Sequence, residues 1–204
     1  MDGLSASAAG WAAVASGVFW LLYLVLLMVE LSGKVAYTAT YKAMGIVTGV
    51  LQAVPIVIVA AFLLEAFGSG SAALIIGGFI AGCAGALLIA MSILKMIPKG
   101  TRFEEVSDIM QSGFGLLAVW ILTVSILSLD GSVMPAYVAV LGLLVGVGMV
   151  VGAVIVLIYG PISPSIANSD VPGAAVWLSY IFGGFGFIGY PVWVILVGVA
   201  LISW

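Results

Sequence analysis

The sequence predicts an all-α fold, a polytopic transmembrane helical bundle of about six spans that forms one domain over residues 1–204. Three observations predict it. First, hydrophobic residues make up 65% of the chain and charged residues 6%, with a mean hydropathy of +1.40, whereas soluble domains carry roughly 25% charged residues. The eight acidic and five basic side chains are too few to coat a water-soluble globule, but suffice where lipid supplies the outer shell. Second, their spacing leaves six charge-free stretches: Gly3 to Val29, Ala43 to Leu64, Ala66 to Leu94, Ile109 to Leu129, Gly131 to Ser169 and Val171 to Trp204. Each is long enough for the about 20 apolar residues that a crossing helix needs. Third, these runs are apolar on every face, whereas a transmembrane barrel would alternate apolar and polar residues along strands of about ten.

The first span is placed at 11–31. Asp2 stands where a removable leader would carry basic residues, and the apolar run is long for a leader, so this helix is expected to be retained. The second, 43–67, holds Gln52 near its midpoint and Pro55, whose ring deprives the Leu51 carbonyl of its helical partner. A kink there would open a small polar pocket, and Gly45, Gly49 and Ala53 offer a small-residue ridge. The third, 72–97, carries two such ridges, Gly77, Ala81, Gly85 and Gly78, Gly82, Ala86, which predict neighbours on two sides. Its Cys83, the lone cysteine, excludes an internal disulfide and reads as a small packed residue.

The fourth span, 112–129, is entered through the one sizeable polar stretch, Pro98 to Gln111. There Thr101 and Glu104 form a capping-box pattern, and Phe103, Val106 and Met110 follow at helical spacing. This predicts a short interfacial helix whose Lys99, Arg102, Glu104, Glu105 and Asp108 form a solvated face or a docking surface. The fifth, 136–159, is lined by Gly142, Gly146, Gly148 and Gly152, and the Pro161 to Asn168 segment after it reads as a polar loop. In the sixth, 174–203, Gly183, Gly184, Gly186, Gly189 and Pro191 interrupt the helix between Tyr180 and Trp193. The ridges of spans two, three and five place the bundle core around those three helices.

If the spans alternate in direction, all five basic residues fall on one side: Lys34 and Lys42 in the first connection, Lys95, Lys99 and Arg102 at the third. The positive-inside rule puts that side in the cytoplasm and both termini outside a cell membrane. Trp11, Tyr137 and Trp204 then lie near outer ends and Tyr37, Tyr41, Tyr159 and Trp177 near inner ends, as interfacial anchors do.

Chemistry is sparse. The chain has no histidine, which removes the commonest general base, haem ligand and transition-metal ligand together. Ser92 and Lys95 are spaced for a Ser–Lys pair, but Lys95 sits at a helix end, where snorkelling to the interface explains it. Glu30, Glu65 and Lys95 all fall within about a turn of a predicted helix end, shallow for an ion pathway. No glycine-rich stretch is followed by the Lys-Ser/Thr of a phosphate loop, and five basic residues at a net charge of −3 give no nucleic-acid footprint. No enzyme activity, cofactor or metal is expected. Gln52, Pro55, Tyr180 and Tyr190, at the two irregular helices, are the candidate solute-binding residues. The irregular spans two and six do not correspond in a three-plus-three repeat, which weighs against a transporter of that design.

The segment Leu129-Asp130-Gly131-Ser132-Val133-Met134-Pro135, the run Leu141 to Gly148, and the closing Gly189-Tyr190-Pro191-Val192-Trp193 through Gly198 resemble a family of small six-span bacterial membrane proteins. The likeness covers about a third of the chain. It implies a fold and no activity. The expected role is a structural or accessory subunit that packs with lipid and with other membrane proteins or with itself. The alternative is a carrier or channel for a small neutral or apolar solute.

Overall fold

A bilayer leaves no water for backbone N–H and C=O groups, so an apolar chain within it satisfies them inside its own helices. The computed structural model describes residues 3–31, 53–67, 71–96, 104–131, 133–159, 173–178, 181–182 and 184–203. Among them there is no strand, and seven α-helices follow in order: α1 (Gly3–Leu31), α2 (Ala53–Phe67), α3 (Ala72–Met96), α4 (Glu104–Leu127), α5 (Ala136–Tyr159), α6 (Gly173–Leu178) and α7 (Gly184–Ile202).

Four of these are long and apolar enough to cross a membrane, at Ala6–Leu26, Ala72–Lys95, Ile109–Leu127 and Ala136–Tyr159. The protein is therefore a helical, membrane-type bundle. The other two expected spans are seen in part. For 43–67 the described helix is Ala53–Phe67, and Gln52 lies outside the described residues. For 174–203 the described helices are α6 and α7, with a helical turn at 181–182 between them, and the apolar stretch of α7 is Ile188–Ile202; residues 179, 180 and 183 lie outside the described residues. The expected break between Tyr180 and Trp193 is corrected over its second part, because the helix runs unbroken through Gly186, Gly189 and Pro191.

The polar entry to the fourth span also differs from expectation. Glu104 to Leu127 is one continuous helix, so residues 104–111 are not a separate helix but the first turns of the one whose apolar span begins at Ile109. Its far end is closed by glycine: Gly131 adopts φ +78° and its N–H bonds the Ser128 carbonyl at 3.0 Å. This left-handed conformation is one that glycine alone adopts without Cβ strain. Val133 and Met134 then tuck in at 4% and 2% exposure, and the Pro135 carbonyl accepts from the Val138 N–H at 2.8 Å to start α5.

The helices pack as a closed ring. α1 lies against α2, α2 against α3, α3 against α4, α4 against α5, α5 against α7, and α7 returns to α1. The ring is sealed where backbones meet. A Cβ on Gly10 would sit 2.6 Å from the Gly198 carbonyl oxygen, and one on Gly198 2.5 Å from that of Gly10. Gly85 of α3 and Gly113 of α4 are paired in the same reciprocal way, at 2.5 and 2.9 Å.

Two expectations about packing are corrected by these contacts. Span three does have neighbours on two sides, α2 and α4, but its two glycine ridges do not face one each: Gly78, Gly82 and Gly85 all meet α4 (Thr123, Trp120 and the Gly113 turn) while Gly77 faces open space. Nor is the core built around spans two, three and five. Only 33% of the α3 span is buried, against 56% for α4, whose Phe114, Leu117, Ala118, Ile121 and Val124 point inward. Among the described residues the core draws on every helix of the ring, most heavily on α4, α1 and α7, with Ile56 and Phe62 from α2 and Ala86, Ile89 and Ile93 from α3. Outward, α3 shows Ile76, Ile80, Leu87 and Met91, and α5 shows Val140, Leu144, Val147 and Val154. Large apolar side chains outside and glycines inside reverse the soluble pattern and suit a lipid surround.

A pair of alanine substitutions tests this geometry. Gly85→Ala is expected to lower unfolding stability in detergent by about 1–3 kcal/mol, the usual scale of overpacking. Gly77→Ala is expected to be neutral or stabilising by up to about 1 kcal/mol, because helix propensity improves with nothing in the way. Equal losses at both positions would refute the assignment of the close glycine contacts of α3 to its α4 side alone.

Candidate functional site

Several aromatic side chains lie in the interior of the ring among aliphatic ones, and each buries a large area at low entropic cost. Trp20 of α1 is 1% exposed and lies at their centre. Its ring centroid is 5.5 Å from that of Tyr23, 5.8 Å from Phe114 of α4 and 6.3 Å from Tyr190 of α7, the last two edge to face. Edge-to-face contacts at these spacings add about 0.5–1.5 kcal/mol each beyond area burial. One side chain from α1 thus links two other walls of the ring.

The α5–α7 wall is fixed by a directed bond. The Trp193 indole N–H donates to the Val138 carbonyl at 3.1 Å, between helices 55 residues apart in sequence. The indole reaches that carbonyl because Gly142 has no side chain. A Cβ there would overlap both Trp193 Nε1 and Ser125 Oγ. The same helix is seated on α4 where Gly146 faces Leu122, and on α7 where Gly186 faces Met149.

A small cavity remains between α1, α2, α4 and α7, with about 20 Å³ of room for water centres. Ala13, Ser16, Ile56, Trp120, Tyr190, Trp193, Val194 and Val197 line it. Ser16 is its distinctive polar group. Ser92, Thr123 and Ser203 each turn their hydroxyl back onto a carbonyl of their own helix, at 2.7, 2.9 and 2.8 Å. Ser16 Oγ does not: it is buried and has no hydrogen-bond partner among the described residues. Ser125 and Ser128 Oγ share that condition at the end of α4. An unsatisfied buried hydroxyl costs about 1–3 kcal/mol.

Of the four candidate residues from the sequence, Tyr190 is 2% exposed and lines the cavity. Pro55 lies in the first described turn of α2, next to the cavity residue Ile56. Gln52 and Tyr180 lie outside the described residues. Ser92 and Lys95 are not brought together as a reactive pair, since Ser92 is fully buried and bonds the Ile89 carbonyl while Lys95 is exposed. Glu65 is exposed near the end of α2, and Glu30 is the penultimate residue of α1. Among the described residues, no three of His, Cys, Asp and Glu are grouped as metal ligands.

Sequence reasoning missed Ser16, Ala13 and the Trp120–Trp193 pair of walls. A signal for α1 was present: Ala6, Ala9, Gly10, Ala13, Ser16 and Gly17 recur at helical spacing just ahead of Trp20, a small-residue face as regular as those of spans three and five. No family model matches the chain, and no match is found among curated proteins or among solved structures.

Substitution of the Trp193 seat gives a clear expectation. Gly142→Ala should destabilise the bundle by about 1–3 kcal/mol through overlap with the indole and Ser125. Trp193→Phe should cost about 0.5–1.5 kcal/mol for the lost hydrogen bond, with some further loss of packing. Thermal unfolding in one detergent would compare the two, and a wild-type midpoint for Gly142→Ala would contradict the close seat.

Proposed function

We propose that this chain is a multi-pass cell-membrane protein of about six spans, with both termini outside, acting as a non-catalytic structural or accessory subunit. Its working surface is the outer face of the bundle, against lipid and against other membrane proteins or further copies of itself. The observation that carries this reading is the contrast between inside and outside. The interior is packed with aromatic and aliphatic side chains and leaves about 20 Å³ for water centres, while large apolar residues are exposed on every helix of the ring. A protein whose centre is filled in this way acts by what it packs against. The six-span reading is further supported by the contact of α2 and α7 with the four longer apolar helices in one six-member ring. The resemblance to small six-span membrane proteins fits the same arrangement.

A second reading, a carrier or channel for a small neutral or apolar solute, is favoured by one observation, the Ser16 cavity beside Tyr190. The scarcity of buried charge would restrict such a solute to a neutral one.

Native mass spectrometry of the chain, extracted gently from its own membrane, separates the two. A stoichiometric protein partner or a defined homo-oligomer is expected. A lone chain that reproducibly retains a small molecule would overturn the subunit reading in favour of the carrier.

Orientation has its own test. In a Cys83→Ser background, Lys34→Cys and Lys99→Cys should react with a membrane-impermeant thiol reagent only from the cytoplasmic side, and Ser132→Cys only from the outside. The opposite labelling would invert the topology.

A further inference from the structure

We infer that the cavity beside Ser16 is a binding site for one small neutral hydroxylic guest, either an ordered water or a molecule the size of a short alcohol. The inference does not depend on whether the protein is a subunit or a carrier. Three observations meet at this point. Ser16 is 4% exposed and its Oγ has no partner among the described residues, although the carbonyl contacts of Ser92 and Thr123 show that a helical hydroxyl in this fold can satisfy itself locally. The cavity that Ser16 lines has about 20 Å³ of room for water centres, above the roughly 10–15 Å³ needed to hold one water. The remaining walls, Trp120, Tyr190 and Trp193 with Ala13, Ile56, Val194 and Val197, are aromatic and aliphatic. They would exclude an ion, whose desolvation nothing in this lining repays.

Position adds to the argument. Ser16 is the middle residue of the Ala6–Leu26 span. At that depth bulk water is absent, so the hydroxyl is either satisfied by a resident guest or left orphaned. Trp193 cannot be that partner through its ring nitrogen, which is committed to the Val138 carbonyl. A guest with a donor and an acceptor satisfies the hydroxyl without rearranging the helices.

Radiolytic hydroxyl-radical footprinting of the intact chain in detergent, run in heavy-oxygen water, tests this directly, because a resident water oxidises the side chains that touch it. Tyr190, Trp120 and Trp193 are only 2–3% exposed. They should nevertheless take up heavy oxygen several-fold more than Phe62, which is 1% exposed and does not line the cavity. Ser16→Val, which removes the hydroxyl and fills space, should abolish that excess. If the native chain shows no excess but ethanol raises its thermal midpoint, and fails to do so in Ser16→Val, the guest is alcohol-sized and the site stands. Two results would overturn the site. One is an excess that persists unchanged in Ser16→Val. The other is a native chain with neither oxidation nor an ethanol shift, together with a higher midpoint for Ser16→Ala, the mark of a dry and orphaned hydroxyl.

Discussion

The arrangement depends on how closely helix backbones can approach where no hydrophobic force draws them together. In lipid, association relies on dispersion contacts and hydrogen bonds, and dispersion decays within fractions of an ångström. The reciprocal pairs Gly10–Gly198 and Gly85–Gly113 place one helix's glycine against the other's carbonyl. At those two crossings even a methyl group would separate the backbones. The first pair closes the ring between α1 and α7, and the second fixes α3 against α4.

Close crossings at the wall determine what fills the centre. A six-member ring leaves an axial space too wide for aliphatic side chains to bridge, and here Trp20, Phe114, Tyr190, Trp120 and Trp193 occupy it. Large rings are suited to this because each spans several ångströms with few rotatable bonds. The polar tips of such residues need partners, and the Trp193 N–H finds one on the α5 backbone. The bond costs no side-chain space because Gly142 vacates the position. Glycine therefore serves two separate ends, helix approach at Gly198 and a seat for an indole at Gly142.

Much of the fold was legible in the sequence, and the part that was not has a physical cause. Charge spacing marked out the four helices that are long and apolar enough to cross a membrane, since a charge in hydrocarbon is costly and tends to fall at a boundary. It did not show that the helix runs through Gly186, Gly189 and Pro191, because glycine and proline read as breakers while Pro191 is accommodated inside a helix. Glycine ridges were read correctly as packing signals on α4's partners and wrongly as evidence of centrality. A ridge states that one neighbour is close and gives no count of neighbours, as the empty space beside Gly77 shows. The small-residue face of α1 was overlooked beside the more glycine-rich spans. Tyr190 was singled out for its place near a break, whereas its importance in the structure comes from its contact with Trp20 and the cavity.

The cavity is the feature least accessible to sequence reading, and its construction explains why. Of its eight lining residues, Tyr190, Trp193, Val194 and Val197 come from α7, and Ala13 and Ser16 come from α1. These are the first and last helices described, so the site exists only when the ring is closed. The inclination of α7 in the ring is set by its own contacts. Those contacts are the close approach at Gly10 and Gly198, and Gly17 against the Pro191 carbonyl. Gly17 immediately follows Ser16, so the crossing that brings α7 in also fixes the depth at which Ser16 faces Tyr190 and Trp193. A side chain at Gly17 or Gly198 would move the cavity walls apart even though neither glycine lines the cavity. Helix packing and the site are thus set by the same few residues, and a change that loosens the ring cannot leave the cavity unaltered.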